Sequence, residues 1–322
     1  MFIPFPVVLR TAAAFAVASV LATAHAADPV RLVVAFPPGG PADSLARVLA
    51  RQLDTELKTN VIVENKPGGN GAIAAAHVKN SPKDGTVLFL SSAGAIAINP
   101  GLYPKLTYHP TTDFVPVSLV VHTPEVLVVA PGSPDATAAD FIAAANKSKK
   151  PRTLASSGIG SMPHMAMALF QTSTKADLLH VAYKGAAPAI TDTIGGHVDG
   201  FFGDISGLLG FIAEKRLKAI GVAAPQRLRA LPDVPTLAEL GIKNVEASNW
   251  YGVFAPAGTP ASVVTTVNAA VHRALKAPSV VESLAAMGIE PSPGTPEQFA
   301  ALIKSDTAKW TKVIKDGNIQ PE

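Results

Sequence analysis

VPVSLVVHTPEVLVVAP, residues 115–131, decides how the chain is organised. Two β-rich runs, SLVV and EVLVVA, flank His122-Thr123-Pro124, and prolines punctuate the whole at 116, 124 and 131. An extended, proline-interrupted stretch of this kind reads as a crossing between two folded units. EASNWYGVFAP, residues 246–256, offers the return. A chain that leaves one lobe at the first stretch and re-enters it at the second has two lobes joined by two strands. Such a hinge encloses a cleft.

Outward from this crossing, short β-rich runs alternate with helical patterns. VRLVVAF (30–36) precedes PADSLARVLARQLDTEL, whose Leu45, Val48, Leu49 and Leu53 share one helical face. NVIVEN, GAIAAAHVKN and TVLFLS repeat the scheme, and RTLAS, LLHVAY, VDGFF, LKAIGV and YGVFA are further strand candidates. Helical patterns occupy roughly 137–146, 163–172, 186–195, 260–276, 279–287 and 296–315. Alternation of this type predicts an α/β architecture with mainly parallel sheets. Thr259-Pro260 and Thr295-Pro296 each predict a Thr N-cap followed by proline in the first helical position, and Gln298 completes a capping box with Thr295.

The 322 residues are 48% hydrophobic and 16% charged, a globular composition long enough for two cores. A formal charge of +3, with no basic run beyond KSKK at 147–150, gives no phosphate track, so nucleic acid is not expected as a partner. Residues 1–26 read as a signal peptide: Arg10 precedes the apolar TAAAFAVASVLATA, and Ala24-His25-Ala26 fits a small-x-small cleavage site. The run is short for a membrane span. With no cysteine, the chain has neither a lipid-attachment thiol nor a disulfide. Cleavage after Ala26 and an exported, periplasmic, monomeric protein are the expectation.

Four loops rich in Gly, Pro or Ser fall between a strand and a helix: PPGGPADS (37–44), SSAGAIAINP (91–100), SSGIGSMP (156–163) and YKGAAP (183–188). In parallel α/β sheets ligands bind beyond the strands' carboxyl ends, where helix N-termini offer unpaired N–H groups. Two such loops facing each other across a cleft would hold an anion without arginine. Each loop alone could equally be a tight connector.

Enzyme motifs fail on inspection. GIGSMP lacks the last glycine of G-x-G-x-x-G, and neither a phosphate-binding G-x-x-x-x-G-K-[ST] nor a G-x-S-x-G elbow is present. The eight histidines show no H-E-x-x-H spacing, so no metal site, cofactor or catalytic residue is expected. His164 reads as a packed or capping histidine and Asp43 as a local hydrogen-bond acceptor at a helix start. Two rivals stay open: an exported hydrolase using Ser157 or Ser161, for which no base is nominated, and a sensory adaptor presenting its ligand to a membrane kinase.

Seven blocks, in order, carry a family resemblance: VVAFPPGGPADSLARVLA, VIVENKPGGNGAIAAAHV, KDGTVLFL, INPGLYPKLTYHPTTDFVPVSLV, VAYKGAAPAITDTIGGHVDGFF, RLRALPDVPTLAEL and WYGVFAPAGTP. From about residue 29 to 318 the chain resembles the tripartite tricarboxylate transporter substrate-binding proteins, also called the Bug or TctC-like family. The resemblance implies a type II-like periplasmic binding protein fold, with two α/β lobes, a two-strand hinge and a central ligand cleft. It implies a small organic acid as ligand and the membrane permease subunits of a tripartite transporter as partner. The expected division is 27–124 with 252–322 in lobe 1, and 125–251 in lobe 2.

The family's carboxylate-holding positions correspond to Pro38, Gly39, Gly40, Ala42 and Asp43, then Ser157, Gly158, Gly160 and Ser161. Ser92, Ile159, His164, Tyr183 and Asp204 complete the candidate ligand-binding set. Two departures bear on specificity. Ala42 stands where the family often has Thr, and Gly203-Asp204 replaces the common Asp-Asn pair. Asp204 could accept from a ligand hydroxyl or amine, or cap the following turn. Lys184 is the single cation in the four loops, and with Ile159 and Met162 this favours an aliphatic or aromatic acid over citrate.

Overall fold

The computed structural model describes residues 28–321, so the signal segment and its cleavage after Ala26 lie outside the described residues. The chain runs β1 (Val30–Val34), α1 (Pro41–Leu57), β2 (Val61–Asn65), α2 (Ala72–Lys79), β3 (Val87–Ser92), α3 (Asn99–Leu102) and β4 (Phe114–Val129). It continues α4 (Ala138–Lys147), β5 (Arg152–Ser156), α5 (Met162–Thr174), β6 (Leu178–Ala182), α6 (Ala186–Ile194), β7 (Gly200–Asp204) and α7 (Ile205–Ala213). β8 (Lys218–Val222), β9 (Ser248–Pro256), α8 (Ala261–Ala274), α9 (Pro278–Ala286) and α10 (Pro296–Asp316) complete it.

SLVV and EVLVVA are not two strands. They form one 16-residue strand, β4, because the chain stays extended through Pro124. From Phe114 to Pro124 it pairs antiparallel with β9; from Glu125 onward its partners are β7 and β8. Pro124 cannot donate to a ladder, and it sits where the partner changes, which is where a missing N–H costs least.

β1 lies parallel between β2 and β3, and β5 lies parallel between β6 and β7. Every pairing of β4 and β9 is antiparallel, so the expectation of mainly parallel sheets holds for the outer strands and fails at the crossing. The strand order β2-β1-β3-β9-β4-β7-β5-β6 makes one sheet shared by two α/β lobes.

Its apolar residues form two bodies divided by sheet face. Val33, Phe89, Leu127, Phe202 and Trp250 belong to one; Leu32, Leu90, Val126, Phe201 and Tyr251 to the other. Alternation along each strand sends neighbours to opposite faces, so each core layer runs through both lobes.

Several short elements were not anticipated, among them α3 and the turn at Gly69–Gly71. Gly94–Ile98 is a buried π-helical turn, and α7 carries glycines that blur its periodicity. Gly207 of α7 is needed because a Cβ there would lie 2.6 Å from Pro41 Cγ of the other lobe. The Thr259 cap is corrected: its hydroxyl donates to the Pro256 carbonyl at 2.8 Å, and α8 begins after Pro260.

The Thr295 capping box forms as expected, with Gln298 N donating to Thr295 Oγ1 at 3.3 Å and Thr295 N to Gln298 Oε1 at 2.9 Å. This start positions Phe299, Ile303, Trp310 and Ile314 against the core. Thr295→Ala is expected to lower stability by about 1 kcal/mol. Urea unfolding would show it as an earlier midpoint at an unchanged slope.

Candidate functional site

Residues from all four glycine loops line one cavity between the lobes, with about 580 Å³ of space counting the part open to solvent. Gly40 precedes α1, Ser161 caps α5 and Gly185 precedes α6, and all three line the cavity. Three helix N-termini therefore converge, one from the first lobe and two from the second. Unpaired N–H groups and the helix dipoles make this region positive without arginine. Lys184 is the one cationic side chain in the lining among the described residues.

The first loop is braced from behind. Asp43 is buried; its Oδ2 accepts from Gly39 N at 3.0 Å and Arg47 Nε at 2.9 Å, and its Oδ1 accepts from Asn65 Nδ2 at 3.0 Å. Burial works against the ionised carboxyl, but the hydrogen bonds from Arg47, Gly39 and Asn65 together outweigh it and hold the group below the usual carboxylate range. Asp43 thus fixes the turn and does not line the cavity. Gly39 and Ala42 do not line it either; Ala42 packs into the core beneath α1. Pro38, Gly40 and Ser92 do.

In the loop from the second lobe, Ser157 and Ser161 face the cavity. Ser161 Oγ accepts from His164 N at 3.4 Å and donates to the Gly158 carbonyl at 2.6 Å. Gly158 and Ile159 line an adjoining, wider groove with Tyr183, whose hydroxyl turns away to donate to Asp192 Oδ2 at 2.6 Å. Burial and the Asp192 carboxylate push that phenol up to about 12.

Gly160, at φ +76°, points at the other lobe. Its carbonyl accepts from Asn70 Nδ2 at 2.6 Å, and Asn70 also donates to Asn99 Oδ1 at 3.0 Å. Gly160 is therefore an interlobe contact that does not line the cavity.

His164 lies behind the loop as well. Its Nδ1 accepts from Gly160 N at 3.2 Å, and its ring stacks on His180 with centroids 3.9 Å apart and planes 11° apart. His180 Nε2 pairs with Ser156 Oγ at 2.6 Å. Burial lowers both imidazoles, His164 to about 3, with the neighbouring His180 adding to the shift, and His180 to about 4. Both rings are neutral at pH 7, and neither reaches Ser157 or Ser161. The serine–histidine contact that does form is at Ser156, which is buried and outside the cavity.

The hinge strands close the opposite wall with Asn249 and Tyr251 of β9 and Asp204 at the end of β7. Asp204 accepts from Tyr251 OH at 2.5 Å and from Asn249 Nδ2 at 3.2 Å, so of its two open roles the structure gives it the cavity-facing position, with no side-chain cap on α7. Asn70, Asn249 and Tyr251 are absent from the sequence-derived set. The period-two pattern of NWY in the return stretch carries a signal for the last two, whereas Asn70 is brought in only by its contact with Gly160.

The family model of the tripartite tricarboxylate transporter family receptor matches residues 45–319. The periplasmic binding protein BugD superposes with a TM-score of 0.86 at 32% identity, covering 91% of this chain and 99% of its own. An R. palustris protein with adipate gives 0.88 at 32%, covering 91% and 98%. MatC from Rhodopseudomonas palustris with bound malate gives 0.84 at 31%, covering 89% and 98%. All three superpositions show the type II-like, two-lobed architecture described above. With the family model spanning most of its length and these neighbours superposing end to end, the chain belongs to the tripartite tricarboxylate transporter receptor family, the solute-binding proteins also known as Bug proteins.

Proposed function

We propose that this protein captures a small organic carboxylate in the interlobe cavity and delivers it, in the periplasm, to the membrane permease of a tripartite tricarboxylate-type transporter. The convergence of three helix N-termini from two lobes on one cavity carries this reading. The malate and adipate bound by the two R. palustris relatives agree with it.

In this reading lobe 1 comprises 27–124 and 252–322 and lobe 2 comprises 125–251, and they rotate about β4 and β9. Pro38, Gly40, Ser92, Ser157 and Ser161 surround one ligand carboxylate. Gly39, Ala42, Asp43, Gly158, Ile159, Gly160, His164 and Tyr183 shape or brace the turns that hold it. The closed state is favoured by whatever the ligand contacts in both lobes at once. The mature protein acts as a monomer, without cofactor.

A thermal-shift screen over C4–C6 mono- and dicarboxylates tests the proposal. An acid present at about 100 times its dissociation constant stabilises by about 2.7 kcal/mol, a shift of several degrees. A screen in which no carboxylate raises the melting temperature would refute carboxylate capture.

A further inference from the structure

The antiparallel pairing of β4 with β7 sets Glu125 directly opposite Asp204. Glu125 is wholly buried, and neither of its oxygens receives a hydrogen bond. Asp204 is 8% exposed, lines the cavity, and already takes the hydroxyl of Tyr251 and the amide of Asn249. Two carboxyls side by side in a dry wall do not both ionise. Burial first, and the neighbouring Asp204 second, push Glu125 well up. Asp204 is also raised by burial, with the bonds from Glu125, Tyr251 and Asn249 opposing.

The pair therefore shares a proton, with Glu125 the more strongly raised side and Asp204, bonded by Tyr251 and Asn249, the side that better holds the negative charge. Of the groups packed around it, Glu125 comes from β4 and Tyr251 and Asn249 from β9, while Thr123 and Ser206, two positions from Glu125 and Asp204, are uncharged and bond each other at 3.2 Å. Lys184 belongs to the lining shared with Asp204, and no other cationic side chain does among the described residues.

One cavity thus has a positive end, built from helix N-termini, and an anionic hinge wall. This rests on the carboxylate-capture reading and sharpens it. We propose that the Glu125–Asp204 pair is the specificity determinant of the hinge wall: it accepts a hydroxyl or ammonium donor from the ligand's far end, and admits a second ligand carboxylate only together with a proton. That proton comes from solvent and is shared between the ligand carboxylate and Asp204, so no charge is left facing like charge.

Calorimetric titration with end-group-matched series is the test: succinate, 4-hydroxybutyrate and 4-aminobutyrate, and the C5 series glutarate, 5-hydroxypentanoate and 5-aminopentanoate. At pH 7.5 the hydroxy and amino acids are expected to bind at least tenfold tighter than the dicarboxylate of equal length. The dicarboxylate's affinity is expected to rise up to tenfold per pH unit toward pH 5.5, with proton uptake seen as a buffer-dependent heat. Asp204→Asn should reverse the preference and flatten the wild-type pH slope. Glu125→Gln, which mimics the protonated acid, should keep the preference.

The ratio is read within each variant, so a modest loss of stability does not blur it. Wild-type protein that binds the dicarboxylate as tightly as its hydroxy partner, with no proton uptake, overturns the inference and leaves carboxylate capture standing. Failure of every acid in both series to bind overturns the two together.

Discussion

Gly160→Val is expected to leave each lobe folded, to hold the lobes apart and to lower the affinity for any captured acid at least a hundredfold. Gly160 sits at φ +76°, and a Cβ there would lie 2.8 Å from Leu102 Cδ2, 3.2 Å from Asn70 Nδ2 and 3.3 Å from Asn99 Oδ1. All three atoms belong to the opposite side of the cavity, so the clash is made only when the lobes meet. A valine adds two methyl groups beyond that Cβ and displaces the Asn70–Gly160 hydrogen bond.

The left-handed backbone itself costs a non-glycine residue roughly 1–2 kcal/mol, which every conformation of the folded chain bears. Gly196→Val separates the two effects: its φ is +71°, but nothing lies within 4 Å of its Cβ direction. Both variants should lose similar stability without ligand, and only Gly160→Val should lose binding. A hundredfold loss corresponds to ~2.7 kcal/mol removed from the closed, liganded state. Small-angle scattering supplies the second readout, since Gly160→Val should show no ligand-induced contraction. Wild-type affinity together with wild-type contraction would contradict this role for the loop.

What the sequence revealed and what it hid divide along a physical line. Local signals were legible. Strand–loop–helix alternation gave nearly every element, Thr295 and Gln298 specified their capping box, and the four glycine loops do meet at one cavity. Long-range pairing was not legible. Nothing in HTPEV indicates that the strand continues, because that depends on β9 handing over to β7 and β8 at Pro124. Nothing local marks Glu125 as the partner of Asp204 either.

Gly160, and Asp43 in its candidate ligand role though not in its role as an acceptor at the helix start, illustrate a second kind of limit. Both belong to the right turns, but side-chain direction and lobe contact, which a loop's composition does not encode, place one behind the turn and the other against the facing lobe. Residues that brace a site and residues that face it look alike in a motif.

The stacked imidazoles lead to an acid-stability prediction with a definite sign. An unfolded histidine binds a proton near pH 6.5, whereas folded His164 and His180 stay neutral down to about 3 and about 4 because burial disfavours the charged ring. Between pH 6.5 and 4.5 the unfolded chain therefore takes up protons that the folded chain refuses, and stability falls with pH. Each ring contributes up to ~1.4 kcal/mol per pH unit, so over two units the pair costs roughly 3–5 kcal/mol, the lower figure allowing for solvent at His180.

His77 and His122, also lowered by burial, act in the same direction. Glu125 acts in the opposite one: its folded pKa is raised, so the folded chain holds a proton that the unfolded chain gives up above its ordinary range. Its contribution grows as pH falls and works against the imidazoles. The wild-type protein should accordingly lose less than the imidazoles alone would cost over this window, and Glu125→Gln, which removes the offset, should lose more.

His164→Asn with His180→Gln, keeping acceptors for Gly160 N and Ser156 Oγ without a basic ring, should flatten the slope. Urea midpoints at pH 6.5, 5.5 and 4.5 decide the matter: parallel losses in wild type and the histidine double variant would show that the stacked pair carries no proton linkage.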